Sequence, residues 1–212
     1  MGKFYERSDI FKYTWDQVAQ AFWSRYPNPF SQHVLSEDVV FRQIKDGKLH
    51  SKRLLTKTNR IPKWGERFVS TKCVRIVEES VVDPVNKVIT TYTRNIGFKS
   101  VMTIEEKCVY QMCEDNPKWT VVNRYAWVSS SVFGFARAIQ AFGVERFRQN
   151  SIKTCRGFNY VLENLFPLIH NQETVPNLIV NKEKLKDKAK KATELAKSKA
   201  EVLVAACNPN SQ

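Results

Sequence analysis

The sequence predicts an α+β domain, a meander of antiparallel strands followed by one long helix lying across a face of the sheet. Three observations predict it. Strand-like runs follow one another with tight-turn chemistry between them, a single aromatic-rich helical stretch comes after them, and the composition changes near residue 170. Residues 1–170 hold 26 basic and 16 acidic residues, whereas 171–212 hold 8 and 5 and no aromatic.

A helix opens the order of elements. Thr14-x-x-Gln17 is a capping box, Trp15, Val18, Ala19, Phe22 and Trp23 share one helical face, and Pro27 and Pro29 stop the helix. Strands are expected over about His33–Lys45 and Lys48–Thr58, joined by the hairpin signal Asp46-Gly47. Further strands are expected over Lys72–Val82, Lys87–Ile96, Val101–Met112 and Lys118–Ser129. Asp83-Pro84-Val85-Asn86 and Asp115-Asn116-Pro117 supply turns, and such short connections make the sheet antiparallel. The long helix is expected from about Phe133 to Phe166, with Phe135, Ile139, Phe142, Phe147, Phe158, Val161, Leu162 and Leu165 on its apolar side. Gly143 is a candidate kink. Periodicity leaves open whether helix and sheet pack solid or enclose a pocket. Beyond residue 170 a Lys/Ala/Glu-rich tail carries a thin stripe of Leu185, Ala189, Ala192, Ala196 and Ala200. It reads as a solvated extension or as an amphipathic helix for a membrane or partner.

The net charge of +13 on 212 residues points to an anionic partner: nucleic acid, an acidic membrane, a phosphate-bearing ligand or an acidic protein. No apolar stretch has the length and purity of a membrane span, and Met1–Tyr13 lacks the apolar region of a secretory signal. Five cysteines without a CxxC pair fit neither a zinc site nor a disulfide framework. The motifs GxSxG, HExxH, GxGxxG and the P-loop are absent, and His33, His50 and His170 are isolated. Glu78-Glu79 and Glu105-Glu106 are adjacent on strands, so their side chains point to opposite faces and form no acid–base pair.

The charge is concentrated. Between Arg42 and Arg75, 34 residues carry 11 basic side chains against Asp46 and Glu66. A solvated strand face and a nucleic-acid surface are both readings of it, yet no RNP aromatic set or GXXG clamp accompanies it. The segment Ile61-Pro62-Lys63-Trp64-Gly65-Glu66-Arg67-Phe68-Val69 mixes basic residues with Trp, Phe and Ile, a composition suited to a lipid headgroup layer. Period-two alternation puts Glu106 on the apolar face of its strand, either in a core salt bridge or on a pocket wall. Arg146, Asn150 and Lys153 share one helix face, either solvent-exposed or converging on a phosphate.

The stretches AFWSRYPNPFSQHVLSEDV (Ala21–Val39), RLLTKTNRIPKW (Arg53–Trp64), VVDP (Val81–Pro84) and WVSSSVFG (Trp127–Gly134) resemble the PRELI domain family, in its PRELI branch, over about residues 1–168. The resemblance implies a START-like helix-grip: a curved antiparallel sheet and a long C-terminal helix enclosing a cavity for one phospholipid. It divides the chain into a lipid-transfer domain at 1–170 and a tail at 171–212. It implies no enzyme activity, no metal and no resident cofactor, the phospholipid being cargo. The implied function is transfer of phosphatidic acid between the mitochondrial outer and inner membranes in support of cardiolipin synthesis. The implied setting is the intermembrane space, with a small twin-cysteine-motif helical protein as heterodimer partner, transient contact with anionic membranes, and no nucleic acid. The alternatives are phosphatidylserine transfer and a basic membrane-binding scaffold without a lipid cavity.

By the same resemblance, Arg25, His33, Arg53, Lys57, Arg60, Arg146, Asn150 and Lys153 contact the headgroup, and Glu105 or Glu106 is the acidic cavity residue, Glu106 being the choice. Ile61, Pro62, Lys63, Trp64, Arg67 and Phe68 belong to a lid over the cavity mouth. The stretch from Trp64 to Val81 is shorter than in relatives, and Arg60 and Arg146 stand where relatives carry lysine. Physically, two acyl chains of about 16 carbons at ~0.8 kcal/mol per CH₂ resist entering water by over ~20 kcal/mol. A cavity would replace the bilayer as their solvent.

Overall fold

In the computed structural model, which describes residues 2–58 and 73–167, seven strands and two helices form one layered unit. The strands are β1 (Lys3–Phe11), β2 (Val34–Lys45), β3 (Lys48–Thr58), β4 (Cys73–Asp83), β5 (Val88–Asn95), β6 (Thr103–Met112) and β7 (Thr120–Ser129). Helix α1 spans Trp15–Ala21 and runs into a 3₁₀ turn at Phe22–Ser24; helix α2 spans Ala136–Leu165. Every described residue belongs to the unit 1–168, so the tail lies outside the description.

Sheet order is β1-β7-β6-β5-β4-β3-β2, with every neighbouring pair antiparallel. Strands β2 to β7 are the expected meander. Strand β1 was not expected, and it adds itself to the β7 edge. Asp46 and Gly47, both at positive φ, close the β2–β3 hairpin as the sequence requires. The curved sheet carries irregularities in β2 at Val34/Ser36 and Val39/Phe41, the kind of bulge that bends an edge strand.

The capping box on α1 is present: the Thr14 side chain accepts from the Gln17 backbone N–H while the Gln17 side chain accepts from that of Thr14. Trp15, Val18 and Ala21 are buried, as the helical face predicts. They join Phe11, Tyr110, Val122, Phe158, Val161 and Leu162 in the core. Phe158 meets Phe11 and Tyr110 edge-on, at ring centroid distances of 5.1 and 6.2 Å. The C-terminal half of α2 therefore packs solid against α1 and the sheet.

Helix α2 starts three residues later than expected, because Phe133 and Gly134 form a turn before it. It passes through Gly143 as one helix, and the glycine serves close approach. A Cβ on Gly143 would lie 2.5 Å from Met102 Sδ and 2.8 Å from Val128 Cγ1. Gly157 does the same against Asn28, whose Oδ1 would lie 2.5 Å from an added Cβ. Among the described residues, no helix is long and apolar enough to cross a membrane.

Candidate functional site

Where the N-terminal half of α2 crosses the sheet it touches β1 and β7, through Phe147 on Tyr5 and Gly143 on Val128, and beside those contacts a cavity of about 780 Å³ lies between helix and sheet. That is in the upper part of the range for ligand pockets, ~300–1,000 Å³. Strands β3 to β7 form its floor and α2 its roof. Its apolar wall includes Val74, Ile76, Phe98, Met102, Ile104, Ile139, Phe142 and Phe147. Pocket and solid core thus occur in the same domain, at opposite ends of one helix.

One part of the wall is cationic. Lys57 from β3, Arg146 and Lys153 from α2, and His33 from the segment before β2 all line the cavity, with Asn150 between the two α2 cations. The i, i+4, i+7 spacing of Arg146, Asn150 and Lys153 thus faces the cavity. Burial pushes the His33 imidazole down to about 4, and the charges of Lys57, Lys153 and Arg146 add to that shift. His33 is therefore neutral at pH 7. Lys57 and Lys153 form no ion pair among the described residues.

Glu106 lines the cavity while Glu105 is exposed, so Glu106 is the inward member of the pair. Its carboxylate is paired with the buried Arg124 guanidinium and accepts a bond from the Cys108 thiol at 3.2 Å. Both sequence alternatives for Glu106 hold at once: it is salt-bridged and it is on the wall. Arg124 is a cavity-lining cation that the sequence reading missed. The signal was available, because Val122, Arg124, Ala126 and Val128 alternate inward as Ile104, Glu106 and Cys108 do. Beside this pair, Arg7 forks onto Asp9 at 2.5 and 2.7 Å, and the Cys155 thiol donates to Asp9 at 3.2 Å.

Arg25 and Arg53 are placed differently from the expectation that they contact a headgroup, for neither lines the cavity. Both are buried on Glu78. Arg25 Nη2 donates to each Glu78 carboxylate oxygen at 2.9 Å, and Arg53 bonds Glu78 and Glu37 through its two terminal nitrogens. The register of β3 with β4 sets Arg53 directly opposite Glu78. Phe22 lies under both guanidiniums, 4.1 Å from Arg25 and 4.7 Å from Arg53. The two cations hold Glu78 ionised down to about 2, outweighing the upward push of burial. Their physical role is to fasten the 3₁₀ turn to the sheet. Arg60 and the lid positions Ile61, Pro62, Lys63, Trp64, Arg67 and Phe68 lie outside the described residues.

A curved antiparallel sheet gripping one long helix over a cavity is the helix-grip class of fold. Solved structures share it at low identity. The Zhui aromatase/cyclase from Streptomyces sp. R1128 matches with TM-score 0.54 and 9% identity, over 77% of this chain and 95% of its own. TTHA0849 from Thermus thermophilus matches with TM-score 0.52 and 12% identity, over 77% and 99%. These likenesses speak to the fold alone. The PRELI-like family matches residues 16–167, and the chain belongs to that family. It is 49% identical over 201 residues to "PRELI domain-containing protein 1, mitochondrial" of Gallus gallus, covering 93% of this chain and 88% of the relative. The Homo sapiens protein of that name is 47% identical over 194 residues, covering 90% and 87%. "Protein UPS1, mitochondrial" of Saccharomyces cerevisiae is 32% identical over 163 residues, covering 76% and 93%.

Proposed function

We propose that this chain is a non-enzymatic carrier that moves phosphatidic acid between the mitochondrial outer and inner membranes, through the intermembrane space, in support of cardiolipin synthesis. The observation that carries the reading is the charge balance of the cavity. Its described lining holds six cations; Arg124 is paired with Glu106, the lining's one carboxylate, and the exposed Arg94 pairs with Glu79, which leaves Lys57, Arg146, Lys153 and Arg156 without a carboxylate of the lining to balance them. A phosphate monoester of roughly −1 to −2 charge suits such a wall, because charge-assisted bonds offset its desolvation. A phosphatidylserine headgroup would bring an ammonium that meets no uncommitted carboxylate among the described lining residues. The cavity itself argues against a scaffold that binds membranes without cargo.

In this reading Lys57, His33, Arg146, Asn150 and Lys153 hold the phosphate, and the apolar wall takes the acyl chains. Arg25 and Arg53 act at one remove, by fixing through Glu78 the turn that precedes His33. The chain docks on an anionic bilayer, the cavity opens, and the headgroup is captured; release reverses these steps. A carrier only equilibrates its cargo, so net flow comes from consumption of the lipid at its destination. The helical twin-cysteine partner expected from the family belongs to the same proposal. Native mass spectrometry of the purified protein with its copurified lipid tests the ligand. One bound phosphatidic acid is the expected result, and equal transfer of phosphatidic acid and phosphatidylserine between liposomes would refute the selectivity.

A further inference from the structure

The turn between β7 and α2 presents an aromatic side chain wholly to solvent. Phe133 is 100% exposed. The turn is firmly built: the Phe135 backbone N–H donates to the Val132 carbonyl at 3.1 Å, and Gly134 sits at φ 74°, where L side chains are strained. Its base is tied to the β5–β6 connection, because the Ser130 hydroxyl donates to the Val101 carbonyl at 2.6 Å. That connection carries Ile96, itself 41% exposed, and places Phe98, Val101 and Met102 on the cavity wall. Ile139 and Phe142, just after the turn, line the same end of the cavity.

The charge of these two segments has one sign. Residues 96–104 and 129–144 contain no Asp or Glu, and their charged side chains are Lys99 and Arg137, both exposed. A lone exposed Phe on a protein surface calls for no explanation. Here the Phe stands on a pinned turn, at the rim of an apolar cavity, among basic and small residues. Aromatics with nearby Lys/Arg suit the headgroup layer of an anionic bilayer.

We propose that Phe133 and its turn are a membrane-insertion tip, with Lys99 and Arg137 beside it on an anionic phospholipid surface. The tip brings the α2 N-terminal end of the cavity against the bilayer. It rests on the carrier reading in that a carrier must meet its donor membrane.

Flotation of the full chain with phosphatidylcholine vesicles, with and without phosphatidylglycerol, tests it. Phe133→Ala lowers the partition coefficient on phosphatidylglycerol vesicles by about tenfold, equivalent to about 1.4 kcal/mol. Phe133→Glu lowers it further, Phe133→Trp retains it, and all three melt with the native protein, since the side chain is not buried. Phe4→Ala, on the outer face of the sheet, leaves partitioning unchanged. Undiminished flotation of Phe133→Ala, or equal weakening by Phe4→Ala, overturns the proposal. So does concentration-dependent self-association that Phe133→Ala abolishes while flotation persists, which makes the tip a contact between copies. Absence of any copurified lipid would sink the carrier reading separately, without touching the flotation result.

Discussion

Replacing Glu78 by Gln tests the energetic centre of the fold. The side chain keeps its shape and loses its charge, leaving Arg25 buried without a counter-ion and Arg53 with Glu37 alone. Linkage gives one measure of the loss. The Glu78 carboxyl drops from 4.5 to about 2 on folding, a difference of about 2.5 units, or about 3 kcal/mol at 1.36 kcal/mol per unit. Breaking a buried pair from one side gives a second, ~3–5 kcal/mol. The expected loss at pH 7 is therefore about 3–5 kcal/mol, read by urea denaturation. For a domain of this size that is a fall of about 10 °C in Tm. Because the folded value lies below the unfolded one, this contribution is complete above pH 4.5 and disappears as pH falls from 4.5 towards 2. The native protein should lose stability across that window more steeply than the variant. A loss below about 1 kcal/mol at pH 7, or acid limbs of equal slope, would refute the reasoning.

Further predictions concern the cavity and the helix above it. Lys57→Ala with Lys153→Ala should lower bound lipid by at least a hundredfold, at ~1.5–3 kcal/mol per charged hydrogen bond, with the melting curve unchanged; undiminished copurified lipid would remove both from the headgroup site. His33 should titrate near 4 in the lipid-free protein and higher once a phosphate offsets the neighbouring cations, measured by NMR; an unmoved titration would place the phosphate elsewhere. Gly157→Ala should cost about 1–3 kcal/mol, because Asn28 is held on the Arg25 carbonyl and the Phe30 N–H. Gly143→Ala should also cost about 1–3 kcal/mol, because the Met102 thioether can turn aside but the buried, β-branched Val128 cannot; denaturation curves that match the native protein's in either variant would contradict this packing.

Strand β1 shows why part of the fold was hidden in the sequence. Its inward residues are Tyr5, Arg7, Asp9 and Phe11, and its outward ones include Phe4 and Ile10. Charge faces in and apolar groups face out, so the alternation that identifies a half-buried strand is cancelled. Strands β6 and β7 alternate conventionally and were legible. Glu106 stood out in β6 as one charge in an apolar series. Arg146, Asn150 and Lys153 were legible by helical spacing, since one helix carries all three. The partnership of Arg25 and Arg53 with Glu78 was not. It joins residues 53 and 25 positions apart: the register of β3 on β4 sets Arg53 opposite Glu78, and the 3₁₀ turn that ends at Arg25 brings in the second cation. Sequence marks a buried cation as notable, but register decides whether a carboxylate or a ligand answers it.

The two glycine contacts of α2 divide that helix into parts with different freedom. Gly143 and Gly157 are 14 residues apart, about 21 Å along the axis, and each lies on neighbours with no space for a methyl group. Arg146, Asn150 and Lys153 all fall between them. The span works as the fixed jaw of a vice, clamped at both ends, with its cationic teeth at constant separation. Headgroup preference is then set by which side chains occupy that span, and a change of cargo requires new teeth with no displacement of the jaw.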